Sequence, residues 1–301
     1  MSGAVVNDGT AAAPRLRVDL HLGTVWDLPA WSSGPGRDDD LYARAAEAGF
    51  EGIQGGDPAR CAAAGLACNT FGTLREPGGL RDLASLWGDL GFECATLHIG
   101  TGYDDEATAA QLVTEVLEVS SDLGFPLFVE THRATLTQDL WRTVQLVSQF
   151  DDLRFNGDFS HWYTGLEMTY GDWDAKVDFI APVLERTRFL HGRIGDSGCI
   201  QIGLDGEAEP DSAAHFRQLW TAAADGFLAT AAPGDVLVFT PELLPPSINY
   251  ARTEATADGG RDEVSDRWTD ALRMADIARD CFAAAQRSAG ATAPSPTEDQ
   301  S

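Results

Sequence analysis

The pattern that most limits the fold of this chain is the regular alternation of short apolar stretches with longer segments of helical spacing. The intervening segments, such as 106–125 and 135–150, carry apolar residues at the spacing of one helix face, and several end in Gly followed by an apolar residue. The eight strand-like stretches are 15–23, 50–56, 66–72, 93–100, 126–133, 153–161, 188–195 and 235–243. Eight strand and helix units in one chain of this length predict an α/β fold, a (β/α)8 TIM barrel.

An open, doubly wound parallel sheet is the structural alternative. It would normally show a glycine-rich dinucleotide turn after the first strand, and the chain instead reads HLGTVWD at 21–27. We expect one barrel domain over 16–286, closed by a last helix at 262–286. The segments 1–15 and 287–301 are small and polar and are predicted to be disordered tails.

The charge of the chain limits its partners. With 47 acidic against 21 basic residues the formal net charge is −26, which disfavours nucleic acid and anionic membranes as partners. The five cysteines show no CxxC spacing, and no signal peptide or membrane-spanning stretch is recognisable. We expect a cytoplasmic protein, and the sequence leaves a homo-oligomer open.

Acidic residues and histidines collect at the predicted strand ends. Five of the six histidines lie there, namely His21, His98, His132, His161 and His191. Side chains alternate along a strand, so Glu130, Asp158, His191 and Glu242 can all point inward at the tops of strands five to eight. Active sites of such barrels lie at that end.

Three buried carboxylates beside one imidazole would repel one another unless they are protonated or bind a cation. One divalent ion is the simpler solution, and this donor set suits Mn²⁺, Mg²⁺ or Co²⁺, with Zn²⁺ also possible. The alternative for Glu130 and Glu242 is a pair of rim salt bridges to Arg133 and Arg252.

Four short motifs at the ends of predicted strands five to eight resemble those of the xylose-isomerase-like TIM barrels. That superfamily includes sugar isomerases and epimerases, inosose isomerases and dehydratases, and apurinic endonucleases. The motifs are VETHR (129–133), DFSH (158–161), FLHGRIG (189–195) and FTPEL (239–243). The resemblance covers the whole predicted barrel.

The ketose epimerases of this superfamily hold one divalent metal, and the resemblance implies that role for Glu130, Asp158, His191 and Glu242. It also implies that His161 and Arg193 contact substrate oxygens. A substrate-contacting glutamate six residues after the first metal ligand is missing, because position 136 is Leu136. The endonucleases carry a further D-x-H motif after strand seven and a histidine on strand three, and this chain has neither.

The chemistry expected of such a site is proton transfer beside a carbonyl. A divalent ion stabilises the enediolate while Glu130 and Glu242 take and return the proton. We therefore expect a metal-dependent isomerase or epimerase of a sugar, keto-sugar or cyclitol. A lyase on the same scaffold would expel a leaving group with the same residues, and a non-catalytic barrel subunit is a third possibility.

Other residues near the strand ends are candidates for substrate contact. His98 and His132 can bind substrate or serve only as hydrogen-bonding groups. Trp162 lies in the long loop after strand six, where an aromatic face can pack on a sugar ring or simply within the loop.

Overall fold

Eight parallel strands form a closed barrel in the computed structural model, which describes residues 4–36, 39–204 and 209–292. A short strand, β1 (Val6–Asn7), precedes them. The barrel strands are β2 (Arg15–His21), β3 (Gly52–Gln54), β4 (Ala67–Leu74), β5 (Ala95–Ile99), β6 (Leu127–Glu130), β7 (Phe155–Gly157), β8 (Thr187–Gly192) and β9 (Asp235–Pro241). All eight predicted strands are present.

The strands pair in chain order, and the pairing of β9 with both β8 and β2 closes the sheet. In register, His191 of β8 lies opposite Thr240 of β9, and Glu130 of β6 lies opposite Asn156 of β7. The closed parallel sheet confirms the (β/α)8 TIM barrel and excludes the open doubly wound sheet.

The helices follow the strands and cover the outside of the barrel. They are α1 (Leu41–Glu47), α2 (Pro58–Ala63), α3 (Leu80–Leu90), α4 (Glu106–Leu123), α5 (Leu140–Gln149), α6 (Ser160–Gly165), α7 (Trp173–Leu184), α8 (Asp211–Leu228) and α9 (Arg267–Thr292). After β9 the chain adds a hairpin of β10 (Thr253–Ala255) and β11 (Arg261–Glu263) before α9.

Aspartates begin five of these helices. The carboxylate of each accepts a hydrogen bond from a backbone N–H in the first turn, in α1, α2, α4, α5 and α7. An anion at this position satisfies an otherwise unpaired donor and interacts favourably with the helix dipole. Part of the acidic excess therefore serves to start helices. Gly91 and Gly124 end α3 and α4 with φ of 94° and 60°, a conformation that favours glycine.

The interior of the barrel changes from apolar to polar along its axis. Six side chains fill the amino-terminal end, namely Val6, Cys94, Phe128, Phe189, Val236 and Val238. Above them Arg17 forms a bidentate ion pair with Asp19, and the side-chain amide of Asn69 donates a hydrogen bond to the same carboxylate at 2.8 Å. The polar side chains of the candidate site follow at the carboxyl ends of the strands.

Both predicted tails differ from expectation within the described residues. Val6 and Asn7 pair antiparallel with Val236 and Asp235 of β9. This pairing is favoured because the side chain of Val6 packs into the apolar cluster at the amino-terminal end of the barrel, its floor. At the other end α9 continues to Thr292 instead of stopping at 286. Residues 1–3 and 293–301 lie outside the described part.

All five cysteines are free thiols, as the absence of paired spacing predicts. No helix of the described residues combines the length and the apolar character needed to cross a membrane.

Candidate active site at the carboxyl ends of the strands

Four predicted ligands converge at the top of the barrel. Glu130 ends β6, Asp158 follows β7, His191 lies near the end of β8 and Glu242 follows β9. One ligand atom from each of the four lies within 4.8 Å of those of the others. Because inward residues alternate with outward ones, Phe128 and Phe189 of the apolar floor stand two residues before Glu130 and His191.

Arg193 is the counter-ion of two of these carboxylates. Its Nη1 donates to Asp158 Oδ2 at 2.7 Å, and its Nη2 pairs with Glu242 Oε2. Its Nε also donates to the backbone carbonyl of Glu242 at 3.0 Å. Burial opposes the charge of Asp158, but Arg193 and His161 outweigh it and lower the pKa of that carboxyl well below its usual range. Asp158 is therefore an ionised carboxylate.

His191 is held with one nitrogen facing the carboxylates. Its Nε2 lies 2.8 Å from Gln54 Oε1, which can only accept, so Nε2 carries a proton. Its Nδ1 lies 3.3 Å from Glu130 Oε2 and 3.6 Å from Glu242 Oε2. Burial disfavours the imidazolium, but Glu242 and Glu130 outweigh this effect and raise the pKa of His191 to about 9.

Glu130 contacts neighbours on both sides. Its Oε1 lies 3.0 Å from His98 Nε2, and its Oε2 accepts a hydrogen bond from Asn156 Nδ2 at 3.0 Å. Burial alone would raise the pKa of this carboxyl, but His191 and His98 reverse the effect and lower it well below the ordinary value. The same carboxylate raises the pKa of His98 against the effect of burial.

Three imidazoles lie in a row beside Glu130 and Asp158, with neighbouring ring planes tilted by 35° and 53°. The ring of His132 lies between those of His98 and His161, with centroids 4.1 Å and 3.9 Å away. Burial, together with His161, lowers the pKa of His132 to about 3 and keeps it neutral. His161 Nε2 lies 3.4 Å from Asp158 Oδ2, which links this row of rings to the carboxylates.

Aromatic side chains surround the mouth of the site. Tyr250, in the loop after β9, lies under the guanidinium groups of Arg193 and Arg133, at 4.7 Å and 5.4 Å from its ring centre. Phe71 contacts His21 and is 47 % exposed. Apolar faces at this position suit the carbon-bound hydrogens of a small cyclic or linear substrate.

The comparisons with known proteins support the fold. Comparison with family models and with curated protein sequences gave no match. A solved structure described as a D-tagatose 3-epimerase-like protein aligns with a TM-score of 0.53 at 11 % identity, over 91 % of this chain and 100 % of that chain. The chain therefore shares the TIM-barrel fold of that structure.

A second solved structure shares this fold. A xylose isomerase-like TIM barrel/4-hydroxyphenylpyruvate dioxygenase fusion protein aligns with a TM-score of 0.53 at 14 % identity, over 94 % of this chain and 45 % of that chain. The present chain thus spans about half of that fusion protein. At such identities the similarity shows the fold alone.

The residues present at the mouth of this barrel fit a divalent cation. Three carboxylates and a histidine whose second nitrogen is fixed by Gln54 form a donor set of the kind that binds Mn²⁺ or Mg²⁺. Buried polar atoms without a hydrogen-bond partner in the described part of the chain include Nδ1 of His132, Nδ1 of His161 and Oδ1 of Asn156, all beside this cluster. Such atoms are rare in proteins unless a ligand or ordered water satisfies them.

The salt-bridge alternative for the two glutamates is wrong. Among the described residues Glu130 pairs with His98 and His191. Glu242 pairs with Arg193, His21 and His191, and neither glutamate pairs with Arg133 or Arg252.

One predicted substrate contact needs correction. Trp162 is fully buried in the core and its indole Nε1 donates to the carbonyl of Thr137 at 2.7 Å, because α6 begins at Ser160 and turns the ring away from the mouth. Arg193 is 1 % exposed and occupied by two carboxylates. In the structure it pairs with Asp158 and Glu242, and contact with substrate stays a prediction for Arg193, His98, His132 and His161.

Two residues of the site, Gln54 and Tyr250, were missed in the sequence, and a third, His21, was placed at a strand end without a role. Gln54 fixes His191, Tyr250 covers Arg193, and His21 places its Nε2 3.4 Å from Glu242 Oε1. Gln54 and His21 lie opposite each other at the ends of β3 and β2. The alternation of inward and outward side chains along a strand could therefore have identified both as inward residues. Tyr250 is carried by a loop and had no such signal.

Proposed function

We propose that this protein is a divalent-metal-dependent isomerase or epimerase of a sugar, keto-sugar or cyclitol. The observation that carries the proposal is the convergence of Glu130, Asp158, His191 and Glu242 at the carboxyl end of a xylose-isomerase-like barrel. Two of the four are glutamates from β6 and from the segment after β9, so they approach the centre from different directions.

Glu130, Asp158, His191 and Glu242 would hold the cation, for which Mn²⁺ is our first choice and Mg²⁺, Co²⁺ or Zn²⁺ are alternatives. When bound, the cation supplies a Lewis acid that increases the acidity of a C–H bond beside a carbonyl. Arg193 keeps Asp158 and Glu242 ionised and fixed in place.

Glu130 and Glu242 are the proposed proton carriers. The lowered pKa of Glu130 keeps its carboxylate charged and able to accept a proton from the substrate carbon. Glu242 is 13 % exposed, which leaves one face open to a bound molecule. Proton removal by one glutamate and return by the other would invert or relocate the stereocentre.

The row of histidines is proposed to bind the substrate. His98 has a side chain that is 33 % exposed, so it can reach a molecule in the mouth while bonded to Glu130. His132 and His161 each offer an unpaired Nδ1 to a hydroxyl group. A small carbohydrate or cyclitol is the proposed partner, in the cytoplasm, with neither nucleic acid nor membrane.

Hydrogen exchange in heavy water tests this proposal. Purified protein loaded with Mn²⁺ is incubated with keto-sugars and inososes, and deuterium entering beside the carbonyl is measured by mass spectrometry. We expect exchange with wild-type protein and loss of exchange by at least about 100-fold in Glu130→Gln. The matched control is Glu118→Gln, which alters an exposed glutamate of α4.

The same experiment separates the isomerase from the lyase alternative. An isomerase or epimerase conserves the mass of the substrate apart from deuterium, whereas a lyase releases water or a second fragment. Absence of exchange and of any product with every compound would contradict the proposed proton transfer.

A further inference from the structure

We infer that the substrate carries a carboxylate group, which Arg133 binds at the mouth of the barrel. The inference rests on the proposed function, because it names the class of substrate taken by the same site, a sugar acid or a carboxylated cyclitol. Arg133 lies in the loop between β6 and α5, directly after His132.

Arg133 forms no ion pair with an acidic side chain in the part of the chain that the structure describes. The residue is exposed, and its guanidinium group lies over the ring of Tyr250, 5.4 Å from the ring centre. Arg193 lies against the same ring at 4.7 Å, but it is already paired with Asp158 and Glu242. A cation–π contact stabilises a guanidinium group without neutralising its charge. The positive charge of Arg133 is therefore available to an anionic ligand.

Tyr250 places Arg133 at the edge of the candidate site. The ring of Tyr250 also lies nearly perpendicular to that of His161, with centroids 6.5 Å apart. His161 and Arg193 both contact Asp158, at 3.4 Å and 2.7 Å. One layer of side chains thus separates the ring under Arg133 from a predicted ligand. A six-carbon substrate held at the predicted ligands by one end can therefore extend towards Arg133 with the other.

The loop that carries Arg133 is fixed on both sides of this residue. Before it, the backbone N–H of His132 donates to Thr137 Oγ1 at 3.1 Å, and the carbonyl of His132 accepts from Thr135 Oγ1 at 2.7 Å. After it, Ala134 has a φ of 63°, a left-handed conformation that costs a non-glycine residue free energy. Such strain persists where surrounding contacts enforce it, and it collects at ligand-binding sites. The backbone therefore presents Arg133 at the mouth before a ligand arrives, which lowers the entropic cost of binding.

The chemistry at Arg133 favours a carboxylate over a phosphate group. A guanidinium group presents two parallel N–H donors that match the two oxygens of a carboxylate, and its single charge balances the charge of that group. A phosphate monoester carries about two charges at pH 7, and proteins commonly bind it at a helix N-terminus. The first turn of α5, which follows this loop, is occupied by the carboxylate of Asp139, which accepts from the backbone N–H of Arg142 at 2.8 Å. This helix N-terminus is thus already neutralised by an acidic side chain.

The affinity for three compounds that differ only at C6 tests the inference. D-fructose carries a hydroxyl group there, D-fructuronate a carboxylate and D-fructose 6-phosphate a phosphate, and a second series built on D-tagatose has the other configuration at C4. Dissociation constants are measured by isothermal titration calorimetry on Mn²⁺-loaded protein. We expect the uronate of at least one series to bind about 10- to 100-fold more tightly than the matched ketose and the matched phosphate.

Variants of Arg133 locate the carboxylate. Arg133→Met should reduce the preference for the uronate over the ketose to about threefold or less, and Arg133→Lys, which keeps the charge but loses the paired donors, should keep an intermediate preference. The matched control is Arg273→Met, which alters an exposed arginine of α9, and it should keep the wild-type preference. Circular dichroism confirms that each variant is folded.

Failure of both uronates to bind more tightly than the matched ketose and phosphate would overturn the inference, as would a preference for the uronate that Arg133→Met leaves unchanged. Hydrogen exchange in heavy water, measured on the same compounds, separates this result from the proposed function. Exchange with a ketose, without a preference for either uronate, would contradict the acidic substrate class and leave the proposed function standing. Tight binding of a uronate that depends on Arg133, without exchange in any compound, would support the acidic class and contradict the proposed proton transfer.

Discussion

Binding of Mn²⁺ to the carboxylate cluster, the group formed by Glu130, Asp158, His191 and Glu242, should release a proton from His191. A nitrogen must lose its proton before it can bind a metal, and Glu242 and Glu130 raise the pKa of His191 to about 9 despite its burial. At pH 7 only about 1 % of the metal-free molecules would then have a neutral His191. The dissociation constant for Mn²⁺ should therefore fall by about tenfold for each pH unit between 6 and 8.

Isothermal titration calorimetry measures this effect directly. Titrations at one pH in two buffers of different ionisation enthalpy give the number of protons released, which should be close to one for the first Mn²⁺ ion at pH 7. The variant His215→Gln, which changes a histidine remote from the cluster, should give the same number. A dissociation constant that does not change between pH 6 and 8, with no proton released, would refute the assignment of His191 as a ligand.

Three further perturbations follow from the same contacts. Replacing Arg193 by Leu removes the guanidinium that pairs with both Asp158 and Glu242, so metal-free protein should lose about 3–5 kcal/mol of unfolding free energy in urea; a loss below about 1 kcal/mol would contradict the ion-pair account. In wild-type metal-free protein, the stability contributed by protonated His191 is complete below pH 6.5 and should be lost, by about 3 kcal/mol in all, as pH rises from there through 9; thermal melts that are flat over this range would argue against it. Replacing Trp162 by Phe leaves the Thr137 carbonyl without its donor and should cost about 1–3 kcal/mol without changing metal content; loss of metal would instead show that Trp162 belongs to the site.

The strands and the inward residues were predictable because they depend on local patterns. Strand alternation places Phe128 and Glu130 on one face, and Phe189 and His191 on another, whatever the neighbouring strands are. Barrel closure then brings the strand ends together, so the convergence of the carboxylate cluster follows from the fold. The same reasoning assigns Gln54 and His21 inward positions.

The remaining features depend on how loops and helices return to the barrel. Trp162 was expected at the mouth, but α6 starts directly after β7 and turns the indole into the core. Arg193 points inward as predicted, yet its engagement by two carboxylates is a contact between three strands that spacing does not reveal. Tyr250 reaches the site from a loop of irregular structure.

The chain ends also show the limit of composition. The composition of a polar segment with few apolar residues predicts a disordered tail. Here, however, β1 pairs with β9, and the side chain of Val6 packs into the apolar floor of the barrel. Pairing supplies the backbone hydrogen bonds that the segment cannot make alone.

Anomalous diffraction from crystals soaked in Mn²⁺ tests the central claim most directly. Data collected near the manganese absorption edge should show a strong peak within coordination distance of Glu130, Asp158, His191 and Glu242. The peak should disappear in Asp158→Asn crystals treated in the same way. An absence of anomalous density at the carboxylate cluster in soaked wild-type crystals, with Arg193 still bridging Asp158 and Glu242, would contradict the account.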